Sequence, residues 1–322
     1  MRKLTACLLV VCFAVMSLSG LVFAANYPAR DVEIVVPWSA GGATDLLFRA
    51  VASVFPKHAN GKQLLVKNVA GGAAVTGTME FLRARTDGYT LLGMATPIVT
   101  VTQMSEVPFT LSQLKPVIMM VDNACYILVP ESSPYHDYQE FVAAAKANPS
   151  GISVGNGGAG GGTHLAALAF EHFAGIEFLH VPFQGGGPSI TAVVGEHIDA
   201  VMASAPEGLS NVDAGQLRIL GPFGSNRLAK YPDVPTAAEQ GFDFSVAMWR
   251  GICAPDGTSD EIVTAIHDIM VNILNDPEFI QRAEDLGVNL VHLDPAQFGE
   301  YMEAEDKLYE ELVKAKGLGT RY

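Results

Sequence analysis

Three stretches of this chain could do chemistry, and all three are built from glycine instead of acids, bases or nucleophiles. In "IVVPWSAGGATDLL", Ile34 to Leu47, an apolar strand ends at Pro37, Gly41 and Gly42 follow, and a helix restarts near Asp45. In "ISVGNGGAGGGTHLAALAF", six glycines fall between Gly155 and Gly162 before a helix expected from Thr163. In "HVPFQGGGPSITAVV", a strand runs into Gly185, Gly186 and Gly187, and Pro188 suits a first helical turn. Glycine admits positive φ and close approach of backbone to a ligand. A helix start adds unpaired N–H groups at the positive end of the helix dipole, and together these suit an anion. Thr44 or Asp45 would cap the first helix, while the Asn156 amide, the Thr163 hydroxyl and Gln184 add polar contacts. Taken alone, the first turn reads as an anion site or as an ordinary tight strand-to-helix loop. Two or three such turns facing one another across a cleft would suit a ligand with two carboxylate ends.

The enzyme signatures are missing. No G-x-S-x-G elbow, H-E-x-x-H or G-x-x-x-x-G-K-[ST] occurs, so no catalytic residue is assigned. Gly155-x-Gly157-x-x-Gly160 matches the dinucleotide fingerprint in letters. That fingerprint needs an acid at the end of the next strand to hold a ribose hydroxyl, and here the strand ends on Val181 and Pro182. No cofactor is expected. His164 and His172 stand eight residues apart on one helix with no Cys or acid at metal spacing, so they read as surface or core residues and no metal site is assigned. His180 reads as a packed residue.

The elements that must position these turns alternate, which gives an α/β fold. Strands are expected at Val32–Pro37, Leu64–Asn68, Thr90–Ala95, Val117–Met120, Tyr126–Val129, Ile152–Gly155, Glu177–Val181, Ala200–Ala203, Arg218–Gly221 and Gly251–Ala254. Helices are expected at Asp45–Phe55, Ala74–Ala84, Tyr138–Ala147, Thr163–Phe173, Gly187–Gly195, Thr236–Gln240, Ser259–Asn275, Pro277–Leu286 and Pro295–Lys316. "CYILVPESSP" and "RGICAPDGTSDE" each run a short apolar strand into a Pro-containing turn. The chain is therefore expected to leave a first domain near Cys125 and return near Cys253. That gives domain 1 as 25–124 plus 254–322 and domain 2 as 125–253.

Arg2 and Lys3, an apolar run from Leu4 to Phe23, and Ala24-Ala25 read as a cleaved signal peptide over residues 1–24, with a retained anchor as the alternative. Losing it takes the formal charge from −14 to −16, which argues against nucleic acid and anionic membrane surfaces as partners. A small anion answers to local groups and stays admissible. Beyond the signal, Cys125 and Cys253 could form one bridge or stay as two buried thiols.

With these residues in view, the chain resembles the substrate-binding proteins of tripartite tricarboxylate transporters, the periplasmic receptors also called Bug. The landmarks are "YPARDVEIVVPWSAGGATD", "VKNVAGGAAVTG", "TDGYTLL", "GNGGAGGGTHLA", "HVPFQGGGPSI", "LAKYPDVPTAAEQGFD" and "APDGT". The resemblance implies a two-domain type II periplasmic-binding-protein fold with the ligand cleft between domains. It implies a monomer that captures a small organic anion and hands it to a permease with a large and a small membrane subunit. It places the ligand against Trp38, Ser39, Ala40, Gly41, Gly42 and Asp45 on one side. Asn156, Gly158, Gly161, Gly162 and Thr163 stand opposite, and Thr96, Gln184, Gly185 and Ser204 complete the walls. Many members carry an acid where this chain has Ala203-Ser204, which makes an amino-acid ligand less expected. Arg250 stands where an apolar residue is common; a surface salt bridge and a contact to a distal carboxylate are its two readings. A periplasmic enzyme acting on a carboxylate, or a sensor presenting its ligand to a histidine kinase, are the alternative functions.

Overall fold

Val32–Val36 (β1) is short, apolar and almost wholly buried, which is what a central parallel strand requires. In the computed structural model, which describes residues 27–224 and 226–316, β1 pairs in parallel with Leu64–Asn68 (β2) and Thr90–Ala95 (β3). The expected signal peptide, 1–24, lies outside the described residues. Ala43–His58 (α1) crosses between β1 and β2, and Val75–Phe81 (α2) lies between β2 and β3.

The strand expected in two pieces, at Val117–Met120 and Tyr126–Val129, is one strand of 17 residues, Leu114–Pro130 (β4). Asp122-Asn123 read as a break because polar residues rarely pass through a core. Asn123 does pass, because its side chain is satisfied on both sides: Nδ2 donates to Ala205 O at 2.8 Å and Oδ1 accepts from Asn289 N–H at 2.7 Å. The first part of β4, Leu114 to Ala124, runs antiparallel to Ala247–Pro255 (β9), which also pairs with β3. From Cys125 onward β4 changes partners, to Ala200–Ser204 (β7) and Leu217–Pro222 (β8). Beyond β7, Ser153–Asn156 (β5) and Leu179–Pro182 (β6) continue the sheet in parallel, so the order is β2-β1-β3-β9-β4-β7-β5-β6. Leu290–Leu293 (β10), not expected from sequence, pairs with β4.

Two other departures have local causes. Thr96–Met104 (α3) is rich in β-branched residues that disfavour helix, yet every residue is buried and Pro97 sits in its first turn. Burial on all sides overrides its propensity. Thr236–Gln240 is a turn, not a helix; Thr236 and Glu239 cap one another at 2.8 and 3.1 Å without a helix to propagate. The remaining helices are Tyr138–Ala147 (α4), Gly162–Ala174 (α5), Gly186–Val194 (α6), Leu209–Asp213 (α7), Asp260–Leu274 (α8), Pro277–Asp285 (α9) and Pro295–Lys316 (α10).

The buried side chains gather to match. One large cluster draws on residues 27–121 and 249–302, including Trp249 and Cys253. Two others draw only on residues 125–248, one centred on Tyr138, Phe170 and Phe223, the other on Tyr126 and Val201. Cys125 and Cys253 are free thiols in different clusters, and burial pushes both well above the ordinary thiol range. The bridge left open by the sequence does not form.

Candidate functional site

The three glycine turns converge. The first leaves β1, passes Gly41 at φ +80°, and enters α1 at Ala43, two residues before the expected start. Gly42 is the N-cap and brings no side chain. Asp45 lies inside the first turn, not at the cap; its Oδ2 accepts from Gly41 N–H and from Arg49 Nε, both at 2.9 Å. The second turn leaves β5 and is held by its own polar groups. Gly157 N–H donates to Thr163 Oγ1 at 2.9 Å, Gly158 N–H to Asn156 Oδ1 at 3.1 Å, and Gly160 N–H to His164 Nδ1 at 3.0 Å. The third turn uses Gly185 at φ +124° to enter α6.

The first and third turns touch. Ser39 N–H and Ser39 Oγ both donate to Gln184 O, at 3.3 and 2.6 Å. A Cβ placed on Gly187 would lie 2.3 Å from Ala40 O, so only hydrogen fits between the turns. A fourth segment joins them: Ala73 and Ala74, both at positive φ, bring the loop after β2 against the second turn, where a Cβ on Gly158 would lie 3.4 Å from Ala73 Cα. Non-glycine residues held at positive φ are strained, and such strain gathers at functional sites.

A small cavity of about 40 Å³ lies where the turns meet. That is far below the ~300–1,000 Å³ of a typical ligand site. Of the predicted residues, Trp38, Gly42, Gly161, Gly162, Thr163 and Arg250 line it. Ser39, Ala40, Gln184 and Gly185 form the contact between turns, while Asn156, Gly158, Gly41 and Asp45 brace the turns from behind. Thr96 is turned to β9, its Oγ1 accepting from Trp249 N–H at 3.1 Å. Ser204 is wholly buried and accepts from Arg250.

Among the described residues Arg250 makes no salt bridge. It is 3% exposed, and no carboxylate lies within ion-pair distance of it among the described residues. Nη2 donates to Ser204 Oγ at 2.7 Å and Nη1 to Met248 O at 3.4 Å, while buried Nε has no partner. Asn156 Nδ2 is likewise buried and unpartnered. Burial pulls the Arg250 pKa down, with Glu207 the largest opposing influence, and a guanidinium keeps its proton regardless.

Glu207 was missed by the sequence reading. It follows β7 by three residues, and its Oε1 accepts from Ala43 N–H at 3.1 Å, so it caps the uncapped helix α1 from 164 residues away. Burial pushes its carboxyl above the ordinary range, with Arg250 acting against that shift. Glu207 thus brings a carboxylate to the cavity three residues after the strand that ends at Ser204. The only local signal was an acid in "APEG" just past a buried strand.

His164 shapes the second turn only while neutral, because a protonated Nδ1 cannot accept from Gly160. Burial, then neighbouring His180 at 4.8 Å between ring centroids, pushes its pKa down to about 4. A base with its folded pKa depressed contributes stability above its unfolded pKa, ~6.5, that is lost as pH falls toward the folded value. The melting temperature should therefore fall between pH 6.5 and 4 by more in the native protein than in His164→Asn, whose amide oxygen can accept without titrating. Parallel curves would exclude this role. His180 Nε2 lies 3.0 Å from Glu171 Oε2 outside hydrogen-bond geometry, a packed histidine and not a base at the cleft.

A larger groove of about 1310 Å³ runs between α5, residues 244–248 and α10. It is mainly apolar, and apart from Gly162 none of the residues of the three glycine turns line it.

Residues 47–318 match the family described as "Tripartite tricarboxylate transporter family receptor". This chain belongs to that family. The receptor is 27% identical over 309 residues to the protein BugT of Bordetella pertussis, covering 94% of each chain. Among solved structures it is similar to the periplasmic binding protein BugD at 26% identity, with a TM-score of 0.85 over 91% of the receptor and 99% of that chain. A TctC solute-binding protein from Polaromonas, without ligand, is 31% identical and superposes less closely, with a TM-score of 0.64 over 90% and 99%. The resemblance drawn from the sequence is borne out, and so is the type II periplasmic-binding-protein fold. The receptor is a solute-binding protein and not an enzyme. No described helix is long and apolar enough to cross a membrane.

Proposed function

We propose that the receptor captures a small organic carboxylate in the cleft where its glycine turns meet, and delivers it in the periplasm to a permease of one large and one small membrane subunit. The observation that carries this is the convergence on one small cavity of the helix starts at Gly42 and Gly162 and of buried Arg250, whose Nε has no partner. Buried polar groups without partners are costly, and a ligand carboxylate is a partner of the right sign. The family description supports the transport role.

In this reading, residues 25–124 plus 254–322 form one domain and 125–253 the other, with β4 and β9 as the hinge. The jaws must part to admit a ligand, since a cavity of about 40 Å³ is far below the ~300–1,000 Å³ of a typical ligand site. The ligand then favours the shut form through contacts it makes only there. Residues 1–24 would be the cleaved leader, and the mature receptor would act as a monomer.

A thermal-shift screen over an organic-acid library tests the assignment, because binding only to the folded state stabilises by RT ln(1 + [L]/Kd). Carboxylates at millimolar concentration are expected to raise the melting temperature. If only sugars or other uncharged compounds shift it, the carboxylate assignment fails.

A further inference from the structure

Glu207 is an odd resident for a cleft that collects carboxylates. Its Oε1 accepts from Ala43 N–H across the cleft, at the helix start where an anion would otherwise sit. It is pinned there: Tyr126 Oη donates to the Glu207 carbonyl at 2.8 Å, and a Cβ on Gly186 would lie 1.8 Å from Oε1, so the carboxylate rests directly on the glycine backbone. Arg250 is buried beside it without a direct ion pair, held by Ser204 and Met248 carbonyl and with Nε unpartnered. Glu207 and Arg250 both line the same small cavity, so one acceptor-only group and one donor-only group face a single ligand space.

We propose that Glu207 is the specificity-determining residue of the cleft, selecting carboxylates that carry a hydrogen-bond donor, ammonium or hydroxyl, beside the carboxylate. This rests on the carboxylate reading above and names the substrate class within it. A ligand carboxylate meets Arg250 and the helix start of Gly162-Thr163. The adjacent substituent meets Glu207. A plain diacid would set a second carboxylate against Glu207 with no proton between them, and like charges in a dry site repel strongly. An ammonium or hydroxyl supplies that proton, and an ammonium also balances the Glu207 charge.

Isothermal calorimetry decides it with acids matched for chain length: acetate, glycolate and glycine; succinate, malate and aspartate; glutarate, 2-hydroxyglutarate and glutamate. In at least one series the donor-bearing acids should bind the native receptor at least tenfold more tightly than the plain acid. Glu207→Gln, which keeps size and shape, should shrink the preference for the ammonium acid at least tenfold. Should that variant fail to fold by circular dichroism, the native series alone decides. Plain acids binding as well as their substituted partners, or unchanged discrimination in a folded Glu207→Gln, overturn the proposal while the carboxylate reading stands. No binding by any acid in the three series, or in the wider library, takes down both.

Discussion

Gly187→Ala should give a receptor that folds normally and cannot close. Gly187 sits in the first turn of α6 with helical backbone, so alanine is locally welcome there and, on propensity, stabilises the helix by up to ~1 kcal/mol. The obstacle lies across the cleft. The new methyl would stand 2.3 Å from Ala40 O and 3.3 Å from Gly41 C, both backbone atoms with no rotamer to move aside. A methyl carbon and a carbonyl oxygen need roughly 3.3 Å, so the turns must separate by on the order of 1 Å, and packed interfaces do not stretch smoothly. The melting temperature without ligand should stay within ~2 °C of the native value. Affinity for the cognate acid should fall at least ~100-fold, about 2.7 kcal/mol. Small-angle scattering should show the ligand-induced contraction lost. A variant that contracts and binds like the native receptor would mean that the two turns do not meet in the liganded state.

Arg250→Ala carries the second large effect. The guanidinium is buried, bonded to Ser204 and to the Met248 carbonyl, and its Nε points nowhere else. Truncating one member of a buried charged contact costs about 2–5 kcal/mol, much of it the cost of leaving the other charge unpaired. Affinity should therefore drop ~100-fold or more by calorimetry. Arg250→Lys should recover part of it, since an ammonium keeps the charge but not the planar fork. Glu207 and Asp122 lose their cationic neighbour too, so urea midpoints should be read alongside. An unchanged dissociation constant would remove Arg250 from the site.

What was legible in the sequence was what is local. Each glycine turn announces itself within a dozen residues: an apolar strand, glycines, then helix-forming residues. The strands Leu64–Asn68 and Thr90–Ala95 and the helix Tyr138–Ala147 fall where their patterns put them. The misses are groups whose partners are remote. Asn123 looked like a strand end because Ala205 and Asn289, which satisfy it, lie 82 and 166 residues away. Thr96–Met104 looked unlike a helix because the burial that stabilises it is tertiary. Glu207 drew no notice because its meaning depends on Ala43, and Arg250 left two readings open, a surface salt bridge and a ligand contact, because nothing nearby shows that Ser204 receives it.

The partner change in β4 has a bearing on how the molecule comes apart. Leu114 to Ala124 are paired within one half and Cys125 to Pro130 within the other, and β9 runs beside the crossing, with Cys125 N–H bonded to Val246 O at 2.9 Å. A strand shared in this way ties the clusters on either side of it into one unfolding unit, because neither side can melt without stripping ladder bonds from the other. The amides of β4 and β9 should then exchange with solvent only through global opening. In the receptor cycle proposed above, this strand pair would bend at each closure and still be the last part of the protein to let go.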